Sequence, residues 1–117
     1  MIIIPALFIA FFTMTSFNSG ALTVSKIPTD KVQHIEGKRI YTSTCIKCHN
    51  KDPHIKGSIG PDLFTTPREV FHTKVITGTY PKGYTPKRKT RVMPKFKQLT
   101  NDVDKIYDYI QSLKKNK

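Results

Sequence analysis

Two cysteines and a histidine stand at a spacing that chemistry can use: Cys45-Ile46-Lys47-Cys48-His49. Two thiols so spaced can add across the two vinyl groups of one haem, giving two thioethers. The adjoining imidazole then sits beneath the iron and can donate a nitrogen to it. These are the only two cysteines of the chain, so no thiol is left to explain. The bland readings of a Cys-x-x-Cys pair are a dithiol redox couple and half of a zinc site. A zinc site needs two more ligands at short spacing, and no second Cys-x-x-Cys exists. A thioredoxin-like site needs a βαβ pattern, which the sequence does not show. The reading is one haem c, covalently attached through Cys45 and Cys48, with His49 as an iron ligand.

A haem held by His49 has one axial position left. Of the three methionines, Met1 and Met14 lie in the apolar N-terminal segment, which leaves Met93 as the only one beyond it. An exposed lone thioether in a polar loop would be odd, and Pro94 pushes the residue before it towards extended geometry. The ordinary role of a lone methionine is as a flexible core filler. Iron ligation is favoured here, so the metal ligands are read as His49 and Met93. His34, His54 and His72 are read as ordinary helix or loop histidines. Thioether ligation favours ferrous iron and raises the potential. With both axial positions filled there is no open site for substrate or dioxygen, so the chemistry is one-electron transfer and the protein is not read as an enzyme.

The elements that must position these groups are helical. A first helix is expected from Thr29 or Asp30, with Gln33 in the capping-box position, running into Cys45; Gly37, Ile40, Tyr41 and Thr44 share one face. Gly37 is either a tolerated helical glycine, costing about 1 kcal/mol against Ala, or a point of close approach by another helix. Asn50 to Ser58 reads as a loop. Thr66-Pro67-Arg68-Glu69 has the form of a capping box with proline at the first helical position. It opens a second helix with Val70, Phe71, Val75 and Ile76, closed by Gly78. Thr79 to Lys97, with Pro81, Gly83, Pro86 and Pro94, is expected as a long irregular loop, of the kind that is functional or disordered. Thr100 is expected to cap a last helix with the apolar stripe Val103, Ile106, Ile110 and Leu113, and Tyr109 beside it. Asp102 and Asp104 in its first turn and Lys114 and Lys115 in its last suit the helix dipole. No strand pattern of useful length appears. The fold class is all-α, with three or more helices around one haem and long irregular loops.

The chain has 117 residues, room for one small domain. Its hydrophobic content of 38% is modest, and a covalently held macrocycle would act as an added core element. Met1 to Met14 is nearly all apolar, short for a membrane span and suited to the apolar region of a secretory signal; residues 1–21, which carry no charged side chain, are read as a signal peptide with a small-x-small site at Ser19-Gly20-Ala21. An uncleaved N-terminal anchor is the alternative, since no Lys or Arg precedes the apolar run. Residues 22–117 form the domain. Either version places the domain outside the cytoplasm, in the periplasm, free or tethered. No cysteine lies near the junction, which excludes a lipid-modified one.

The formal net charge is +12, and all of it falls beyond residue 21. Between Glu69 and Asp102 there is no acidic residue, while Lys74, Lys82, Lys87, Arg88, Lys89, Arg91, Lys95 and Lys97 are basic. Such a run is usually a solvated face, but this one flanks Met93. The partners expected are acidic docking faces of redox proteins or an anionic membrane surface; an exported protein rarely meets nucleic acid, which is not expected as a partner.

The sequence resembles the small monohaem class I cytochromes c. Four segments carry the likeness in the family's order: Gly37-Lys38-Arg39-Ile40-Tyr41 leading to the Cys45–His49 motif, Gly60-Pro61-Asp62-Leu63, Val92-Met93-Pro94-Lys95-Phe96, and Ile106-Tyr107-Asp108-Tyr109-Ile110. The resemblance implies the cytochrome c fold, with Gly37 and Tyr41 meeting Ile106 and Tyr109 where the first and last helices cross. It implies that the Pro61 carbonyl accepts a hydrogen bond from the far nitrogen of His49 and that Leu63 and Phe96 pack near the haem. Tyr80, Tyr84, Arg91 and Lys95 are candidate donors to the propionates, against the commoner reading of such residues as exposed surface. The loops between His49 and Gly60 and from Thr79 to Arg91 match no particular subfamily. The function expected is electron transfer by a one-electron carrier. The alternatives are a dedicated cytochrome subunit of a periplasmic dehydrogenase or oxidase and a five-coordinate haem enzyme or gas-binding protein acting on peroxide, nitric oxide or carbon monoxide.

Overall fold

The computed structural model describes Gly20 and residues 27–113. Three helices carry the domain: α1, Thr29–Thr44; α2, Arg68–Thr77; and α3, Val103–Ser112. A 3₁₀ turn, Cys45–Lys47, continues α1, and another, Lys97–Leu99, precedes α3. No strand occurs among the described residues, so the all-α expectation holds. The boundary at residue 21, the apolar N-terminal segment, Lys114 and Lys115 lie outside the described residues.

The core is built where α1 crosses α3. Ile40 and Tyr41 from α1 meet Val103, Ile106, Tyr109 and Ile110 from α3, all buried. The 3.6-residue period puts these α3 positions on one stripe. Gly37 lies at the crossing, and a Cβ there would overlap the Lys105 carbonyl and crowd Tyr109. Close approach is therefore the reason for glycine at this point. The Tyr41 and Tyr109 rings sit 5.7 Å apart, and the Tyr41 hydroxyl donates to the Asn50 carbonyl at 2.5 Å. That bond ties the loop after His49 back onto α1.

Helix α2 packs on α3 through Phe71 and Tyr107, whose rings are 5.5 Å apart. Arg68 reaches across to Asp104 and Asp108, both at 2.5 Å, and its guanidinium lies 4.5 Å from the centre of the Tyr107 ring. The closing role of Gly78 is borne out. It adopts φ +77°, a left-handed geometry that costs a side chain, and its amide bonds the Lys74 carbonyl at 3.0 Å.

The expected N-terminal caps are not formed. Helix α1 begins at Thr29 behind Pro28, with no side-chain cap; the Pro28 carbonyl accepts from Lys31 and Val32. Pro67 stands in the cap of α2 rather than inside its first turn, at an extended ψ of 145°. The Thr66 hydroxyl turns back to the Asp62 carbonyl at 3.4 Å instead of forward to the helix. Before α3, Thr100 gives its hydroxyl to the Lys97 carbonyl at 2.7 Å, closing the 3₁₀ turn, and Asp102 takes the cap position. Short polar side chains choose among nearby backbone partners, and here the preceding turns win. Packing of apolar faces sets where these helices stand.

Candidate functional site

The last turn of α1 delivers the Cys-x-x-Cys-His segment. The Cys45 carbonyl accepts from the amides of both Cys48 (3.2 Å) and His49 (2.9 Å), so the motif is wound as a tight turn. Residues three apart on such a turn share a face, and both thiols line one cleft. Both cysteines are free and half-buried. Before a cofactor is attached, burial, with the neighbouring Cys48 adding to it, pushes the Cys45 thiol up to about 12.

His49 is buried, only 8% exposed. Its Nδ1 lies 2.9 Å from the Pro61 carbonyl. A carbonyl only accepts, so Nδ1 carries the proton and Nε2 keeps its lone pair. Burial lowers the imidazole's proton affinity and the Pro61 bond partly opposes that, leaving it below its ordinary value. The ring is thus neutral, the form that binds a metal. The resemblance to class I cytochromes c implied this Pro61 contact, and the geometry has it.

Two glycines let the chain wrap around this ring, and sequence reasoning missed their role. A Cβ on Gly60 would overlap Cε1 and Nδ1 of His49, and a Cβ on Gly57 would overlap the Cys48 carbonyl and the His49 backbone. Between them the Cys48 carbonyl accepts from Ile59 (3.3 Å) and Gly60 (2.9 Å), and the Gly57 amide donates to the Gly60 carbonyl at 2.9 Å. The signal was available in the sequence as two glycines bracketing a short segment just past His49.

The cleft holds about 300 Å³ and is open to solvent on one side, at the small end of the roughly 300–1,000 Å³ usual for small-molecule sites. Cys45, Cys48, His49 and Pro61 line it, and so do Leu63, Met93 and Phe96. The structure therefore brings together all seven residues singled out in the sequence. Val70, Phe71 and Val75 from α2 and Ile106 from α3 add apolar wall that the sequence reading assigned only to the helix core. Tyr80 and Tyr84 also line the cleft, stacked at 5.5 Å, with the Lys74 ammonium 4.4 Å from the Tyr80 ring centre. Arg91 and Lys95 lie off the lining; the cations that reach it are Lys47, Lys74 and Lys87. The Cβ and backbone of Lys95 lie close to Gly78.

The other histidines are engaged elsewhere. His34 meets the Tyr109 ring edge-on, His54 pairs with Asp52 at 2.8 Å, and His72 pairs with Asp104 at 2.9 Å. None of the three lines the cleft.

The residues present fit a haem. Two thiols, an imidazole with a free Nε2, a thioether and mostly apolar walls face one space. Residues 33–110 match the family model described as cytochrome C oxidase, cbb3-type, subunit III. The chain belongs to that family. Neither the curated proteins nor the solved structures yield a match. Membership in this c-type cytochrome family carries with it a covalently bound haem c, for which Cys45 and Cys48 supply the thiols. The haem supplies a one-electron iron couple, and the domain's chemistry is haem-based electron transfer. Among the described residues no helix is long and apolar enough to cross a membrane.

Proposed function

We propose that this cytochrome domain is a one-electron carrier whose iron is held between His49 and Met93, and that it is not itself an enzyme. The observation that carries the reading is the meeting of His49 and Met93 in one cleft, Met93 being the only methionine beyond residue 14. The Pro61 bond fixes the His49 ring with Nε2 free, the orienting role that a partner behind a ligand performs. Leu63 and Phe96 give the site apolar cover that keeps water from the iron.

The docking partner fits as an acidic face with an apolar centre. Val92, 64% exposed, and Ile59 adjoin Met93 and His49 on the surface beside the cleft. Lys82, Lys89, Arg91, Lys95 and Lys97, in the same stretch of chain as Val92, are exposed. An anionic membrane surface offers the same charge without the apolar centre. Export to the periplasm, with residues 1–21 as a signal peptide or anchor, agrees with two thiols that must be consumed by a cofactor.

A second reading is favoured by the family match itself, whose description names an oxidase subunit. In that reading the domain is a dedicated cytochrome subunit, and co-purification with the larger complex distinguishes it from a free carrier.

Carbon monoxide tests the ligation. With Met93 on the iron, the reduced protein binds carbon monoxide slowly and incompletely. Rapid, complete binding means an open position and supports gas or peroxide chemistry instead.

A further inference from the structure

The segment that presents Met93 has almost nothing of its own to hold it. Among the described residues, no backbone–backbone hydrogen bond involves residues 85 to 95. At its far end the Phe96 amide bonds the Val75 carbonyl at 2.6 Å, anchoring the chain to α2. At its near end two consecutive side chains do the anchoring. The Lys87 ammonium donates to Asp62 Oδ2 (2.8 Å), the Asp62 carbonyl (3.1 Å) and Thr65 Oγ1 (2.7 Å), with Thr66 Oγ1 further off at 3.4 Å. Arg88 donates to the Gly57 carbonyl at 3.2 Å. Both acceptor sites belong to the Gly57–Thr66 stretch, which also carries Gly60 against the His49 ring and Pro61 on its Nδ1.

The Lys87–Asp62 pair is as sheltered as the Lys105–Asp102 pair within one turn of chain, 28% and 29% exposed, but it joins segments far apart in sequence. The Lys87 and Asp62 side chains are 28% and 31% exposed, against 49% and 59% for Arg68 and Asp104. A sheltered, multiply hydrogen-bonded ammonium is held more firmly than an exposed one. The Asp62 carboxyl also accepts from Thr65 at 2.6 Å, which orients it towards Lys87.

We infer that the Lys87–Asp62 contact is a clamp holding the Met93 loop to the His49 side of the cleft, which makes Lys87 a positioning residue for the iron's second ligand. The inference rests on the His49/Met93 reading above. It removes Lys87 from the docking charges, because its charge is already matched by Asp62. The loop opens when the clamp releases, and the Phe96 anchor then acts as its hinge. A competing ligand in solution can reach the iron only in that open state, so its apparent affinity reports the open population.

The test is imidazole binding to the ferric holoprotein, followed by its absorption spectrum. Lys87→Gln and Asp62→Asn each raise the apparent imidazole affinity about tenfold, the size expected for losing a charge-assisted hydrogen bond. The double variant rises no further than Lys87→Gln alone, because without the ammonium the Asp62 carboxylate no longer holds the loop. Lys89→Gln, an exposed cation two residues along, leaves the affinity unchanged. Should Lys87→Gln fail to fold, Asp62→Asn reads the same contact from the other side. Met93→Ala separates the two claims. If it binds imidazole no better than wild type, Met93 is not the competing ligand, and the ligation reading falls together with the clamp. If Met93→Ala binds tightly while Lys87→Gln and Asp62→Asn stay within about twofold of wild type, the clamp alone is overturned. Effects that multiply in the double variant overturn it as well.

Discussion

Replacing Gly37 by alanine tests how the helices are held together. In an isolated helix this change is favourable by about 1 kcal/mol, because glycine costs backbone entropy. Here the new Cβ would overlap the Lys105 carbonyl and crowd the Cβ of Tyr109. The obstacle is backbone belonging to α3, so no flexible side-chain end can swing away. The α1–α3 crossing must open, loosening contacts of Ile40, Tyr41, Ile106 and Ile110, which are at most 4% exposed. Overpacking costs about 1–3 kcal/mol, and a clash with fixed backbone belongs at the upper end, about 2–3 kcal/mol. Set against the propensity gain, the net loss is about 1–2 kcal/mol. For a domain of this size each kcal/mol moves the melting temperature by about 4–8 °C. Thermal unfolding of the holoprotein, followed by circular dichroism, should show a midpoint lowered by about 5–15 °C. A midpoint raised by a few degrees is the outcome for a merely tolerated helical glycine, and it would refute the close-approach reasoning.

Further outcomes follow from the same geometry. Gly60→Ala places a methyl group against the His49 ring; it should lower the yield of protein with low-spin haem, and a wild-type spectrum and yield would show that the ring has room to move. Asp62 is held below the usual carboxylate value of 3.8: burial works against its ionisation, but the bonds from Lys87 and Thr65 outweigh it. A depressed carboxylate contributes stability above its unfolded value and loses it as pH falls through the folded one. The melting temperature should therefore decline below about pH 4, and less steeply in Asp62→Asn; identical slopes in the two proteins would contradict the coupling. Electron transfer to an acidic partner should slow steeply as salt rises, since steering gains roughly 10- to 1000-fold at low ionic strength; a rate independent of salt would count against the docking role of Lys82, Lys89, Arg91, Lys95 and Lys97.

The parts of the site that were legible in the sequence are those whose chemistry is local. The Cys45–His49 segment is a contiguous motif, and Met93 stood out because the domain holds no other thioether. The α3 stripe was legible because its period matches the helix. What was not legible depends on tertiary placement. The contacts of Gly57 and Gly60 with His49 arise only once the chain folds back over the ring. Lys87 finds Asp62, and Arg68 finds Asp104 and Asp108, across distances in sequence that no local pattern encodes. Thr66 and Thr100 carry good cap chemistry, yet each bonds the turn before its helix. Arg91 and Lys95, named with Tyr80 and Tyr84 as candidate propionate donors against a commoner reading as exposed surface, are exposed and off the cleft lining, whereas both tyrosines line it.

The claim on which the account depends is that one iron is shared by His49 and Met93. The ferric near-infrared absorption spectrum of the holoprotein, compared with that of Met93→Ala, measures this directly. A thioether-to-iron band is expected in the wild-type protein and disappears in the variant while the haem stays covalently attached. A band that survives the substitution, or a wild-type protein that never shows one, would contradict it.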